Sequence, residues 1–141
     1  RIAEFVRAKK AVITGEFVFG GWKFHEDGMR ALHRACASVS WPVTWIQGDA
    51  CDGRTLSGTQ VCAVAGLKVE PLEVNGVLIG SVYEDEHARY CLLGDVRPDD
   101  AAAPRTVQTR AALEKMTGVC PISGARCSAC SEVVARAALY P

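Results

Sequence analysis

A chain of 141 residues with 16 basic and 16 acidic side chains, 49% hydrophobic residues and 13 glycines has the make-up of one compact domain, or of two small subdomains sharing a core. Basic and acidic residues are interleaved along it, which leaves no electrostatic footprint for a phosphate backbone and argues against nucleic-acid binding. No apolar run approaches the ~20 residues that span a bilayer, and the charged start RIAEFVRAKKAVITGEF is unlike a secretory signal, so a cytoplasmic protein without membrane contact is expected. The first residue is Arg rather than Met, which fits a trimmed or partial reading frame.

AVITGEFVFGG is a β-branched and aromatic run closed by Gly20 and Gly21, and it predicts a strand and a stop. From His25 to about Val39, the residues Met29, Leu32, Ala35 or Cys36, and Val39 recur at helical spacing, with Glu26 and Asp27 in the first turn; a helix is predicted there, ended by Trp41 and Pro42. WPVTWIQGD predicts a second strand, followed by a polar turn, and TLSGTQVCAVAG a third. Between Val69 and Tyr83 two strand-like runs flank Asn75-Gly76, the dipeptide that suits a type I′ hairpin.

Glu84 to His87 form the next loop, and ARYCLLGDV predicts a strand that breaks at Arg97-Pro98. Asp99 or Asp100 is then expected to cap a helix with Pro104 in its first turn, carrying Val107, Ala111, Leu113 and Met116 as far as Gly118. EVVARAALYP is ambiguous, with Val133-Val134 favouring a strand. This order predicts an α+β domain with an antiparallel or mixed sheet and helices on one face.

Seven cysteines, odd in number and scattered, do not make a secreted disulfide framework. Cys36, Cys62 and Cys91 fall in apolar runs and are expected to pack as small hydrophobes. Cys120, Cys127 and Cys130 form C-x6-C-x2-C, but no second CxxC or HxxxH completes a zinc site, and no metal is expected. The zinc-deaminase signature, His-x-Glu with Pro-Cys-x-x-Cys, is absent, Ser57 lacks the glycine of a nucleophile elbow, and Gly20-Gly21 lacks the Lys-Ser/Thr of a P-loop. His25, His33 and His87 lack metal spacing, and each reads as polar surface rather than as a catalytic group. The richest segment is HARYCLLGDVRPDD followed by PRTVQTRAALEKM, where Arg97, Arg105 and Arg110 offer guanidinium forks to a carboxylate. The alternative is a solvated helix face paired with Asp99, Asp100 and Glu114.

ARYCLLGDVRP with QTRAALEKM resembles the strand, glycine turn and first helix of the Rid (YjgF, L-PSP) superfamily of imine and enamine deaminases. WPVTWIQGDACDGRTLSGTQVCAVAG and the hairpin after it are similar to the β-rich extension of a chorismatase-like subgroup, and SEVVARAALYP is similar to the family's VVRTWFY strand. The resemblance implies residues 1–87 as an N-terminal extension and residues 88–141 as a partial Rid-like core of chorismate-mutase-like fold. It also implies a trimer with clefts between subunits, a small carboxylate-bearing ligand such as 2-aminoacrylate, and no cofactor. Arg89, Tyr90, Gly94, Arg97 and Arg105 are the ligand-binding positions it suggests; it points to no catalytic residue. A chorismatase-like enolpyruvyl-ether hydrolase and a non-catalytic oligomerisation or binding module are the alternatives. The Rid core continues past the point where Tyr140-Pro141 ends this chain, so an incomplete core is expected.

Overall fold

The structure, a computed structural model, describes residues 2–36, 38–48, 50 and 52–122. In chain order these form α1 (Ile2–Ala8), β1 (Ala11–Gly20), a 3₁₀ turn (Trp22–Phe24), α2 (His25–Ala35), β2 (Val43–Gln47), β3 (Leu56–Ala65), β4 (Val69–Val74), β5 (Val77–Glu84), β6 (Arg89–Leu93) and α3 (Arg105–Ile122). The class is α+β, with two small three-stranded sheets. None of the described helices is long and apolar enough to cross a membrane.

The first sheet has the order β2-β1-β3. β1 runs antiparallel to β3 and parallel to β2, with Glu16 opposite Val43 and Gly20 opposite Gln47. Parallel neighbours need a crossover, and α2 provides it. Its apolar positions Met29 and Leu32 pack on a buried cluster of Val18, Trp41, Val43 and Trp45. The approach is close at Gly28, where a β-carbon would lie 2.7 Å from the Trp45 ring. The helix stops at Ala35, earlier than the apolar spacing predicts, because Cys36 turns to extended backbone (φ −122°, ψ 120°) while its N–H closes the last turn on the Leu32 carbonyl. Val39 still reaches the cluster from beyond the helix. The short helix α1 adds to the predicted elements; its apolar residues Ile2, Phe5 and Val6 recur at helical spacing, and none of its residues is buried.

The second sheet is the meander β4-β5-β6, antiparallel throughout. The expected hairpin is present: Asn75 (φ 53°) and Gly76 (φ 75°) supply the two positive angles of its turn. Because β6 pairs with β5, this sheet includes residues on both sides of position 87. Strand β6 ends at Leu93, before the predicted break at Arg97-Pro98. The Gly94 N–H donates to the Ile79 carbonyl (2.9 Å), and the Asp95 N–H then donates to Thr44 Oγ1 on β2 (2.8 Å). At that point the chain leaves one sheet and touches the other.

The expected helix follows as α3. Pro104 lies just before it and accepts the first-turn N–H groups of Val107 and Gln108. Asp100 closes the preceding turn on the Ala102 N–H, and Asp99 pairs with Lys115 Nζ (2.6 Å), so their bonds go elsewhere than to the helix N-terminus. Gly118 does not end α3. The turn beyond it buries Val119 against Leu72, Ile79 and Val82, and that burial outweighs the ~1 kcal/mol by which glycine disfavours a helix. Of the cysteines, Cys36 and Cys91 pack against the two clusters and Cys62 is half-buried on β3. Cys127, Cys130 and the run EVVARAALYP lie outside the described residues.

Candidate functional site

The two sheets meet along β1, where a β-carbon on Gly15 would lie 2.9 Å from the Leu92 side chain of β6, and at β2, which receives the turn after β6. Although β2 is the outer strand of its sheet, Val43, Thr44 and Trp45 are all buried. Alternate side chains of a strand point to opposite faces. Val43 and Trp45 join the cluster under α2, and Thr44 receives the Gly94-Asp95 turn. A β-carbon on Gly94 would come within 3.0 Å of Thr44 Oγ1 and 3.1 Å of Pro42. Gly94 is therefore where the backbone of one sheet is allowed against the other.

Asp95 and Arg97 lie at this junction. Asp95 holds a left-handed backbone angle (φ 54°), a conformation in which Asp is enriched among non-glycine residues. Its carboxylate accepts a hydrogen bond from Arg97 Nε at 2.6 Å, and the two side chains are 24% and 34% exposed. Burial pushes the Asp95 carboxyl above the usual carboxylate range, and the Arg97 and His25 charges pull it back. The main chain at Arg97 is tied to α3, since its carbonyl accepts from Lys115 Nζ.

His25 is the first residue of α2, placed where the chain leaves the carboxyl end of β1. Its ring stacks on Trp22 at 4.5 Å between centroids and meets the edge of Trp45 at 5.2 Å. Both tryptophans are anchored: the Trp22 N–H donates to Gln47 Oε1 (2.7 Å), and Trp45 Nε1 donates to the Gly20 carbonyl (3.0 Å). Burial lowers the imidazole below its ordinary value of 6.5 and Arg97 adds to this, while Asp95 and Glu26 oppose it. The junction thus carries a partly buried Asp95–Arg97 ion pair, and a guanidinium of this kind can hold an anion.

The five positions suggested by the family resemblance separate into groups. Gly94 and Arg97 belong to the junction. Arg89 and Tyr90 stand at the opposite end of β6, and at about 3.3 Å per residue Arg89 is roughly 17 Å of strand from Gly94. There Tyr90 stacks on Tyr83 (5.1 Å), and Asp85 raises its hydroxyl above the usual range. Asp85 also accepts the His87 and Ala88 N–H groups, which hold its carboxyl below the usual range. Arg105 is exposed at the start of α3, with Arg110 one face further along. His25, which reads from sequence as polar surface, is half-buried against Trp22 and Trp45, a placement that sequence reasoning missed. The available signal was Trp22-x-x-His25 at a strand-to-helix boundary.

A concave apolar surface of about 650 Å³ lies elsewhere, between α1 and strands β1 and β3, where Phe5, Val61 and Ala63 face one another and Lys9 alone is charged. No group of three or more metal-ligating side chains occurs among the described residues. Compared with protein families, with curated proteins and with solved structures, the chain finds no match.

Proposed function

We propose that this chain is a Rid-like protein with a chorismate-mutase-like core, which binds a small enamine, imine or enol carboxylate with Arg97 holding the carboxylate, and which assembles as a cytoplasmic trimer. The observation that carries the reading is the placement of Arg97. Of the arginines suggested from sequence, it is the one that is partly buried and ion-paired with Asp95, at the end of the strand and glycine turn that bear the family resemblance. The order meander, Gly94 turn and α3 is the order expected of that family's strand, turn and first helix. A guanidinium fork matches a carboxylate in a way that an ammonium does not. An incoming carboxylate competes with Asp95 for Arg97.

Calorimetric titration with pyruvate, a stable keto-acid product of the proposed chemistry, tests this. Binding by the wild-type chain and a loss of at least about tenfold in Arg97→Lys, the rough equivalent of a charge-assisted hydrogen bond, support it. Equal affinity in both proteins, or no binding to the wild type, sinks it. Light scattering on the same sample reads the trimer directly. A second reading, a non-catalytic interaction module, is favoured by the apolar surface under α1. Phe5 is 65% exposed there, and the adjoining strand β3 pairs with β1 alone among the described residues.

A further inference from the structure

We propose that the outer edge of β3 is a self-association site, where two copies of this chain pair strand to strand, antiparallel about a twofold axis at Ala63. This contact is independent of Arg97 and of its ligand.

The two sheets end in the outer strands β2, β3, β4 and β6, and three of these carry features that keep other strands away. β4 holds Pro71 between Glu70 and Glu73. β6 has five residues and begins with Arg89. β2 also has five, and its Thr44 and Gln47 side chains are taken by the Asp95 and Trp22 N–H groups. β3 has none of these protections. Leu56–Ala65 is ten residues long without a charge or a proline, and it pairs with β1 alone among the described residues. The N–H and C=O groups along its outer side are a template for another strand.

The side chains identify that strand as a second β3. Val61, Ala63 and Ala65 stand two apart and so share one face; they line the apolar groove of about 650 Å³ under α1, where Phe5 is 65% and Ile2 45% exposed. Lys9, the charged residue of that lining, lies over the Phe5 ring (5.9 Å). A twofold axis sets each residue near it against itself or a close neighbour, so a charged strand would meet its own charge. β3 meets none. Its first turn of chain is engaged locally, since the Ser57 hydroxyl donates to the Gly48 carbonyl (3.1 Å), which puts the axis in the apolar half. With the axis at Ala63, that residue faces its own counterpart and Val61 faces Ala65 of the partner subunit. The two grooves then run together into one apolar surface. Pairing over residues 61–65 gives about five main-chain hydrogen bonds, the low end of what an interface carries, and burial of the merged groove adds the hydrophobic part. A twofold contact joins copies in pairs, so the assembly is a dimer, or a hexamer where the trimer proposed above also forms.

The test uses the full chain with Ala63→Glu and Ala63→Lys, both at an exposed position, and reads mass by light scattering. The wild type is expected to be a dimer or a hexamer. Each variant sets like charges face to face across the axis and should halve that mass, and an equal mixture of the two variants, which sets Glu against Lys, should restore it. A wild type that stays a monomer or a trimer at every concentration overturns the proposal. So does a variant that keeps the wild-type mass, or a mixture that stays at half, since the axis then lies elsewhere. Should the variants fail to fold, amide exchange in the wild type decides: the N–H groups of β3 should exchange slowly and speed up on dilution as the copies part. Exchange that dilution leaves unchanged assigns the edge to residues 123–141 of the same chain or to no strand at all, and rejects the second copy.

Discussion

The two halves of this molecule solve the same packing problem with different chemistry. Under α2 the core contains Trp41 and Trp45, and each indole N–H bonds a named acceptor: Glu16 Oε2 at 3.1 Å and the Gly20 carbonyl at 3.0 Å. Under α3 the core is Leu72, Ile79, Val82 and Val119, which pack without direction. Aliphatic contact resists compression but tolerates rotation, whereas an indole both fills volume and fixes an angle. The titratable group held in a defined plane, His25, stands on the aromatic half. The aliphatic half supplies the platform from which Asp95 and Arg97 reach across.

The largest expected effects probe this division. Trp45→Ala should cost about 3–5 kcal/mol and Ile79→Ala about 2–5 kcal/mol, both in urea unfolding. Only the first should also change the titration of His25, and an equal change from both would erase the distinction. Gly28→Ala should destabilise by about 1–3 kcal/mol through its collision with the Trp45 ring, despite the ~1 kcal/mol that alanine gains in a helix; a more stable variant would mean that the ring can shift. Trp41→Phe removes the donor to Glu16, a residue only 9% exposed, and should cost about 1–3 kcal/mol by leaving that carboxylate without its indole partner.

A pH series comes next in size. Because the folded state lowers the His25 value below 6.5, the unfolded chain binds more protons between the two values, so the histidine's contribution to stability is present above pH 6.5 and is lost as pH falls toward its folded value. Asp95 acts in the opposite sense. Its raised value means that the folded chain holds the extra proton above pH 3.8, so its contribution declines as pH rises through its folded value. Unfolding midpoints for His25→Gln should therefore flatten the first slope and leave the second. The smallest effect belongs to the aliphatic half: Ser81 is fully buried on β5 with its hydroxyl unpartnered among the described residues. Ser81→Ala should alter stability by less than about 1 kcal/mol, toward greater stability.

Local chemistry was readable where the chain needs only itself. The Asn75-Gly76 hairpin, the strand Ala11–Gly20 and the apolar stripe of α2 all follow from spacing and turn residues. What spacing could not convey was decided by distant partners. Gly118 reads as a stop until Val119 is seen against Leu72. The parallel pairing of β1 with β2 depends on the path of α2, and the early end of β6 depends on Thr44, far away in sequence. The same holds for the site. Arg97 and Gly94 lie in a segment that stands out by composition, but His25 acquires its surroundings from Trp45 and Asp95, which no local window contains.

The crossover that places His25 also orders the assembly of the protein in time. Strands β4 and β5 are joined by a two-residue turn and close a small loop, whereas β1 must find β2 across the whole of α2, with Glu16 meeting Val43. Closing the longer loop sacrifices more chain entropy before any contact compensates for it. Loop closure therefore favours the meander forming before the first sheet, whose β1–β2 and β1–β3 pairings both join distant segments. The junction needs both sheets in place, so its geometry is expected to complete after theirs.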